Sequence, residues 1–394
     1  MIAIDLVLTV LALPIAAAAL YLGLMAVLAR APRARVAPAP RLRFDVIVPA
    51  HDEEQGIADT VASLLAVEYP RDRFRVIVVA DNCTDRTAAR AAAAGAEVFV
   101  RVDLERRGKG YALADAFHRR LDAGRADVLV VVDADTQVSP NLLSAFAARF
   151  EAGAAVVQAD YGVQNVRSSW RTRIMTIALA AFHGVRSSAR ERLGLSCGLR
   201  GNGMGFSAAV LRANPPGAFS IVEDLEYGIQ LGYAGVRVQY VDEAHVWGQM
   251  AVTEGASRSQ RRRWERGRNA LVREHVPGLL AGAWRRRDVV LLDLAMDLLV
   301  PPLGQLVAAT IVGLAVSVAA MWLGVVVAPW LWAVSALAIV GYVGRAVALS
   351  GLGLAGVADL VWAPVYIIWK LTLRLSDRGR KPEEWVRTTR EANP

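Results

Sequence analysis

The stretch Val128-Leu129-Val130-Val131-Val132-Asp133-Ala134-Asp135-Thr136 limits the fold more than any other part of the chain. An apolar run ends abruptly in two carboxylates. Such a run is what a parallel strand needs when helices cover both faces of its sheet. Ligands of open α/β sheets bind beyond the carboxyl ends of the strands, and Asp133 and Asp135 stand at that end. Two residues apart on an extended chain, they face one side. Paired carboxylates suit a hard cation such as Mg²⁺ or Mn²⁺ shared with substrate phosphates. The alternative for these two residues alone is a helix N-cap plus a surface turn.

Similar signals surround this strand. Phe44–Pro49 reads as a first buried strand, followed by His51, Asp52, Glu53 and Glu54. Phe74–Ala80 reads as a second, ending in Asp81-Asn82-Cys83-Thr84-Asp85, and Val98–Val100 as a short third. Gly56–Ala66, Thr87–Ala94 and Tyr111–Leu121 have helical character, the last opened by Gly108-Lys109-Gly110. Strands alternating with helices predict a mixed, mostly parallel α/β sheet flanked by helices. Beyond residue 140 the pattern loosens. Leu142–Phe150 reads as helix, Ala154–Gln158 as strand, Leu225–Leu231 as a helix behind Glu223-Asp224, and Val236–Val241 as strand. The glycines of Gly198–Gly205 allow backbone to approach a ligand closely.

With 394 residues, 55% of them hydrophobic, the chain can hold one globular domain and membrane segments. Residues 6–28 are apolar over a bilayer-spanning length, and the Met-Ile-Ala-Ile-Asp start lacks the basic region of a signal peptide. Arg30, Arg33, Arg35, Arg41 and Arg43 follow, and the positive-inside rule assigns them to the cytoplasm. Leu303–Val327 and Trp330–Leu349 read as further spans. Asp288–Val300, with Asp293 and Asp297, and residues 352–373, with Asp359 and Pro364, read as interfacial. Ser257–Val272 reads as a basic amphipathic helix on the membrane surface. The formal charge of +8 is concentrated between Arg258 and Arg268 and at Arg285-Arg286-Arg287. Basic clusters beside apolar spans meet anionic lipid more often than nucleic acid. There is no zinc-finger spacing and no RNA-binding aromatic motif, so nucleic acid is not an expected partner. Cys83 and Cys197 form neither a metal motif nor a disulfide framework, which fits a reducing cytosolic face.

Six motifs occur in order: Val48-Pro49-Ala50-His51-Asp52-Glu53-Glu54, Asp81-Asn82-Cys83-Thr84-Asp85, Gly108-Lys109-Gly110, Asp133-Ala134-Asp135, Glu223-Asp224 and Gln260-Arg261-Arg262-Arg263-Trp264. The set resembles membrane-embedded family-2 glycosyltransferases of the GT-A fold, the group that includes cellulose, hyaluronan and poly-N-acetylglucosamine synthases. The resemblance covers residues 44–275, and its most specific part is the Gln-x-x-Arg-Trp form.

The resemblance implies inverting transfer of a sugar from a nucleotide-diphosphate donor, a UDP-sugar first, to a growing β-linked glycan. Asp81 would contact the nucleotide base, with Pro49, His51 and Glu53 lining the same pocket. Lys109 would approach the donor, Asp133 and Asp135 would hold Mg²⁺ or Mn²⁺ on the diphosphate, and Asp224 would be the general base. Gln260, Arg263 and Trp264 would bind the diphosphate and frame the acceptor entrance, while Asn202, Gly203 and Glu223 would meet the acceptor. The chemistry agrees: charge developing on a leaving diphosphate needs cations, and an acceptor hydroxyl needs a carboxylate within hydrogen-bond reach. Two departures stand out. Relatives carry two aspartates where this chain reads Ala80-Asp81, which leaves the nucleotide open, and Val222 replaces a usual threonine.

The implied organisation is an N-terminal transmembrane helix over 1–30, a linker over 31–43, a cytoplasmic catalytic domain over 44–254 and amphipathic interfacial helices over 255–301. C-terminal transmembrane and interfacial helices over 302–373 and a basic cytoplasmic tail over 374–394 follow. The protein is expected in the cytoplasmic (inner) membrane. Alternatives are single-sugar transfer to a polyprenyl phosphate or glycolipid, and a non-catalytic membrane scaffold. Residue by residue, Glu223-Asp224 also fits a charge pair at a helix N-terminus, Lys109 a solvated lysine, Trp264 an interface anchor, and His51 and His245 packing or hydrogen bonding.

Overall fold

The computed structural model describes residues 2–31, 39–250 and 254–376; for Ile2, 254–263 and 370–376 it describes the backbone alone. Most of the expected linker and nearly all of the expected basic tail lie outside the described residues. The strands are β1 (Phe44–Ala50), β2 (Phe74–Asp81), β3 (Glu97–Arg101), β4 (Val128–Val131), β5 (Thr136–Val138), β6 (Val156–Val163), β7 (Met204–Ser207) and β8 (Val238–Gly248). They form one sheet ordered β3-β2-β1-β4-β7-β6-β8-β5. β3, β2, β1 and β4 are parallel, β7 is antiparallel to both its neighbours, and β6 and β8 are again parallel.

The helices inside this domain are α2 (Ile57–Leu65), α3 (Thr87–Ala93), α4 (Lys109–Ala123), α5 (Leu142–Glu151), α6 (Trp170–Leu179), α7 (Arg186–Arg192), α8 (Ala208–Ala213) and α9 (Glu223–Tyr233). Alternating strand residues serve two cores. Val46, Val48 and Val130 pack with Ile57, Val61, Leu64 and Phe146 of α2 and α5. Ile47, Leu129 and Val131 pack with Leu113, Phe117, Leu211, Tyr227 and Leu231 of α4, α8 and α9. Burial on both faces is why these strands contain no polar alternation, and each such side chain contributes about 1.5–3 kcal/mol on leaving water.

The central strand departs from expectation at its end. β4 stops at Val131, and Ala134 and Asp135 lie in a turn. The ladder stops because β5 pairs elsewhere, antiparallel to Val246–Gly248 at the end of β8, just beyond the point where Asp242–Ala244 bulge out of the β6–β8 register. The chain must therefore turn immediately after Asp133, and the two aspartates are not neighbours on one extended strand. β6 and β8 also run longer than the stretches read as strand.

Outside the domain lie α1 (Ile2–Leu28), α10 (Glu254–Arg286), α11 (Val289–Leu299), α12 (Leu303–Ala319), α13 (Ala328–Leu349), α14 (Gly353–Asp359) and α15 (Ala363–Ser376). Among the described residues, three helical segments are long and apolar enough to cross a membrane, by length and composition: Ala3–Leu28, Leu303–Leu323 and Ala328–Leu349. Gly23 lets α13 approach α1, since a methyl there would lie 3.1 Å from Ala338 Cβ. The basic helix read over 257–272 is part of the longer α10. The segment from 352 is broken between α14 and α15, and Asp359 pairs with Arg173 Nε at 2.8 Å.

The segment 159–197 gave no legible signal in the sequence beyond its first residues. It forms the end of β6, α6, a π-helical turn over Ala180–Val185, and α7. Two of its arginines, Arg186 and Arg190, are buried. Arg186 Nη1 lies 2.7 Å from Asp297 Oδ1, and Arg190 reaches Asp293 and Asp297 at 2.9 Å each. The aspartates that make α11 unlike a membrane span are thus partners of α7. Tyr21 of α1 joins them, donating to Asp293 at 2.9 Å and accepting from Arg190 at 2.7 Å.

Candidate active site

Three chain segments converge on Lys109. Its ammonium donates to Asp133 Oδ1 and to Gly201 O, at 2.5 Å each, and lies 4.0 Å from Glu223 Oε1. Lys109 opens α4 and Glu223-Asp224 open α9, so two helix N-termini meet beyond the end of β4. Gly110 makes this possible: a methyl there would sit 2.7 Å from Ala218 O, in the loop leading into α9. Gly201 has φ +80, and its methyl would lie 3.1 Å from Asp224 Oδ2, so glycine is required on both counts.

Asn202 is fully buried. Its Oδ1 accepts from Asp133 N at 3.1 Å and its Nδ2 donates to Thr136 Oγ1 at 2.8 Å. The side-chain amide therefore braces the turn carrying Asp133 and Asp135. Gly203 is wedged against Val246, where a methyl would come within 2.9 Å. α10 packs on Val222 immediately before the acidic pair: a methyl at Gly267 would lie 2.7 Å from Val222 Cγ1. Valine at the usual threonine position thus fills an apolar contact. Trp264 on this helix is half-buried, while the side chains of Gln260 and Arg263 lie outside the described ones.

The electrostatics follow from crowding. Burial pushes the Glu223 carboxyl up to about 7, against the pull of Lys109 and with a further push from Asp224. Burial also raises Asp224, again opposed by Lys109. Burial alone would lower Lys109, yet Asp133 and Glu223 hold it above its ordinary range. Asp133, Glu223 and Asp224 therefore face a single ammonium in a partly desolvated cleft. This excess of carboxylate, with Asp135 in the adjoining turn, fits a hard divalent cation.

The loops after β1 and β2 form the other wall. His51 Nδ1 lies 2.8 Å from Asp81 O, and Glu53 N donates to Thr87 Oγ1 at 2.8 Å. Pro49 is half-buried near the end of β1. Asp81 is buried and accepts from Arg101 Nη1 at 2.6 Å. Arg101, at the end of β3, was not singled out from the sequence; Asp103 two residues on was the available signal. Among the described residues a second acidic group, Asp52, Cys83 and Asp85, brings possible ligand atoms within 4.8 Å of one another. Asp52 Oδ1 there accepts from Thr84 N at 2.7 Å and Asp85 Oδ1 from Thr87 N at 2.8 Å, while burial raises the Cys83 thiol. Those groups staple the two loops together.

A mixed sheet of this order, with acidic, basic and glycine positions gathered beyond its central strand, defines a GT-A glycosyltransferase. The chain belongs to glycosyltransferase-like family 2, whose family model matches residues 40–267. Among curated proteins it is similar to the probable glycosyltransferase YdaM of Bacillus subtilis, 24% identical over 241 residues, covering 58% of this chain and 56% of that one. It is also similar to the beta-monoglucosyldiacylglycerol synthase of Synechocystis, 29% identical over 230 residues, covering 56% and 47%. The chain thus spans about half the length of these curated relatives. Among solved structures, the mannosyltransferase PcManGT from Pyrobaculum calidifontis superposes with a TM-score of 0.53 at 19% identity, over 92% of this chain and 99% of that one. That likeness is one of fold.

Proposed function

We propose that this glycosyltransferase moves a sugar from a nucleotide-diphosphate donor to an acceptor at the cytoplasmic face of a membrane, inverting the anomeric centre. The observation that carries the reading is the convergence of Asp133, Glu223, Asp224 and Lys109 beyond β4. Asp224 takes the proton of the acceptor hydroxyl as that oxygen attacks the anomeric carbon and the nucleoside diphosphate leaves. One displacement with one base inverts the configuration, so an α-linked donor gives a β-linked product. Lys109 stays protonated and orients Asp133. Asp133 and Asp135 would hold Mg²⁺ or Mn²⁺, which when bound offsets charge on the diphosphate. The solved complex of PcManGT with GDP-Man and Mn²⁺ supports such a pairing of donor and metal.

Pro49, His51, Glu53 and Asp81 line the nucleotide side, with a UDP-sugar as first candidate. Gln260, Arg263 and Trp264 bind the diphosphate and frame the entrance for the acceptor, beside Glu223 and the Asn202-Gly203 backbone. The domain limits and membrane location remain those expected from the sequence, with 44–254 as the catalytic domain. Of two acceptors, a growing glycan and a lipid, the lipid is the one taken here. The relative named a beta-monoglucosyldiacylglycerol synthase supports this choice.

The test is a screen of nucleotide sugars for nucleoside diphosphate release by the protein in nanodiscs, with and without a chelator. Release that depends on Mg²⁺ or Mn²⁺ is expected. Silence with every donor, in the presence of glycan and lipid acceptors, overturns the enzymatic reading in favour of a scaffold.

A further inference from the structure

Arg200 stands apart from the other buried arginines. It is 6% exposed, and its Nη2 donates to Cys197 O at 2.8 Å. Its Nε and Nη1 are buried without a hydrogen-bond partner. Arg149, Arg186 and Arg190 each pair directly with carboxylates; among the described residues Arg200 makes no such ion pair and feels the Asp297 charge only from a distance. Its guanidinium lies over the Phe182 ring, 4.1 Å from the centroid. The next residue, His183, is 7% exposed, and its Nδ1 also lacks a partner. Burial and the charge of Arg200 hold that imidazole neutral, down at about 3, so it can donate one N–H without adding charge.

An unpaired buried guanidinium is costly. A folded chain tolerates one where a ligand completes it, and the guanidinium fork fits phosphate oxygens. The position identifies which ligand. Arg200 directly precedes Gly201, which separates Asp224 from Lys109, and its charge acts on Asp224. Phe182 and His183 belong to the π-helical turn, where Ala181 O accepts from Tyr342 OH of α13 at 2.6 Å. The unpaired donors thus lie between the base and the candidate membrane helices.

We propose that Arg200, seated on Phe182 with His183 beside it, binds the phosphate group of a lipid-carried acceptor. The inference rests on reading Asp224 as the group that meets the acceptor. The experiment uses the whole protein in phosphatidylcholine nanodiscs doped with polyprenyl monophosphate, polyprenol or diacylglycerol. Retention of each lipid is measured by native mass spectrometry for wild type, Arg200→Met and Arg200→Lys. Calorimetric binding of the nucleotide sugar reports that each variant is folded.

Wild type should retain polyprenyl monophosphate in preference to polyprenol. Arg200→Met should weaken retention by about tenfold or more, the loss expected for a charged hydrogen bond, with Arg200→Lys in between. Equal retention by Arg200→Met and wild type, or of the phosphate and the free alcohol, overturns the proposal. Displacement of the lipid by nucleoside diphosphate alone assigns Arg200 to the donor and also overturns it. Inorganic phosphate held as tightly as the lipid phosphate overturns the lipid source. Arg200-dependent retention without nucleoside diphosphate release from any donor leaves the site standing and removes the enzymatic reading instead.

Discussion

Asp224 carries two features a base needs: it sits at a helix N-terminus in the cleft, and its carboxyl is raised by burial. Asp224→Asn keeps the shape and removes the basicity. Loss of a positioned general base costs about 10²–10⁴-fold in rate, so turnover should fall by that factor while calorimetric donor affinity stays near wild type. Near-normal turnover would remove Asp224 from the role. The pH profile follows from the same crowding. Both Glu223 and Asp224 are raised, Glu223 to about 7, and the pair titrates jointly. A base works ionised, so turnover should fall as pH drops through the region of 7 and below. Lys109, held above its ordinary range, should add no basic limb there. A turnover profile flat from mildly acidic to mildly basic pH would contradict this assignment. These residues were legible because each ends a strand or opens a helix. The brace formed by Asn202 was not: it was read as an acceptor contact, and only the fold shows its amide turned inward onto Asp133 and Thr136.

At the scale of elements, the strands and helices of 44–140 were readable because a two-sided sheet forces continuous apolar runs. The segment α6–π-turn–α7 was not. The acidic partners of Arg186 and Arg190 lie about a hundred residues away on α11, beyond the reach of local patterning. Asp293 and Asp297 were noticed only as interruptions of an apolar stretch. Their pairing locks α7, α11 and α1 together. The charges of Arg190, Arg186 and, more weakly, Arg200 hold the Asp297 carboxyl well below its usual range, outweighing the opposing effect of burial. Removing one member leaves buried charge uncompensated, which typically costs about 3–5 kcal/mol. Asp297→Ala should therefore lower thermal stability strongly. Replacing Arg186, Arg190, Asp293 and Asp297 together by apolar residues of similar volume should recover much of it. A melting temperature unchanged by Asp297→Ala would mean that the cluster does not hold the helices together.

The relative direction of the candidate membrane helices is written in the ends of α1 and α13. Asp5, near the start of α1, accepts from the backbone N–H of Val326, Val327 and Ala328 at the start of α13. At the other end, Arg345 of α13 donates to Ala29 O, just past α1, at 2.9 Å. The two helices therefore run in the same direction, and α12 must return between them. That gives one end bearing Arg30, Arg345 and the catalytic domain, and another bearing Asp5 and the apolar Met321–Val327 turn. Arginine belongs on the cytoplasmic side, so α1 should run inward, α12 outward and α13 inward again. Single cysteines in a background without Cys83 and Cys197 test this in intact cells. A cysteine at Val326 should react with a membrane-impermeant maleimide from outside, and one at Arg106, on the catalytic domain, should react only after the membrane is opened. Labelling of Arg106→Cys from outside would reverse the orientation. Equal labelling of both sites from outside, followed by release of the protein with alkaline carbonate, would mean that these helices pack on one another without crossing a membrane at all.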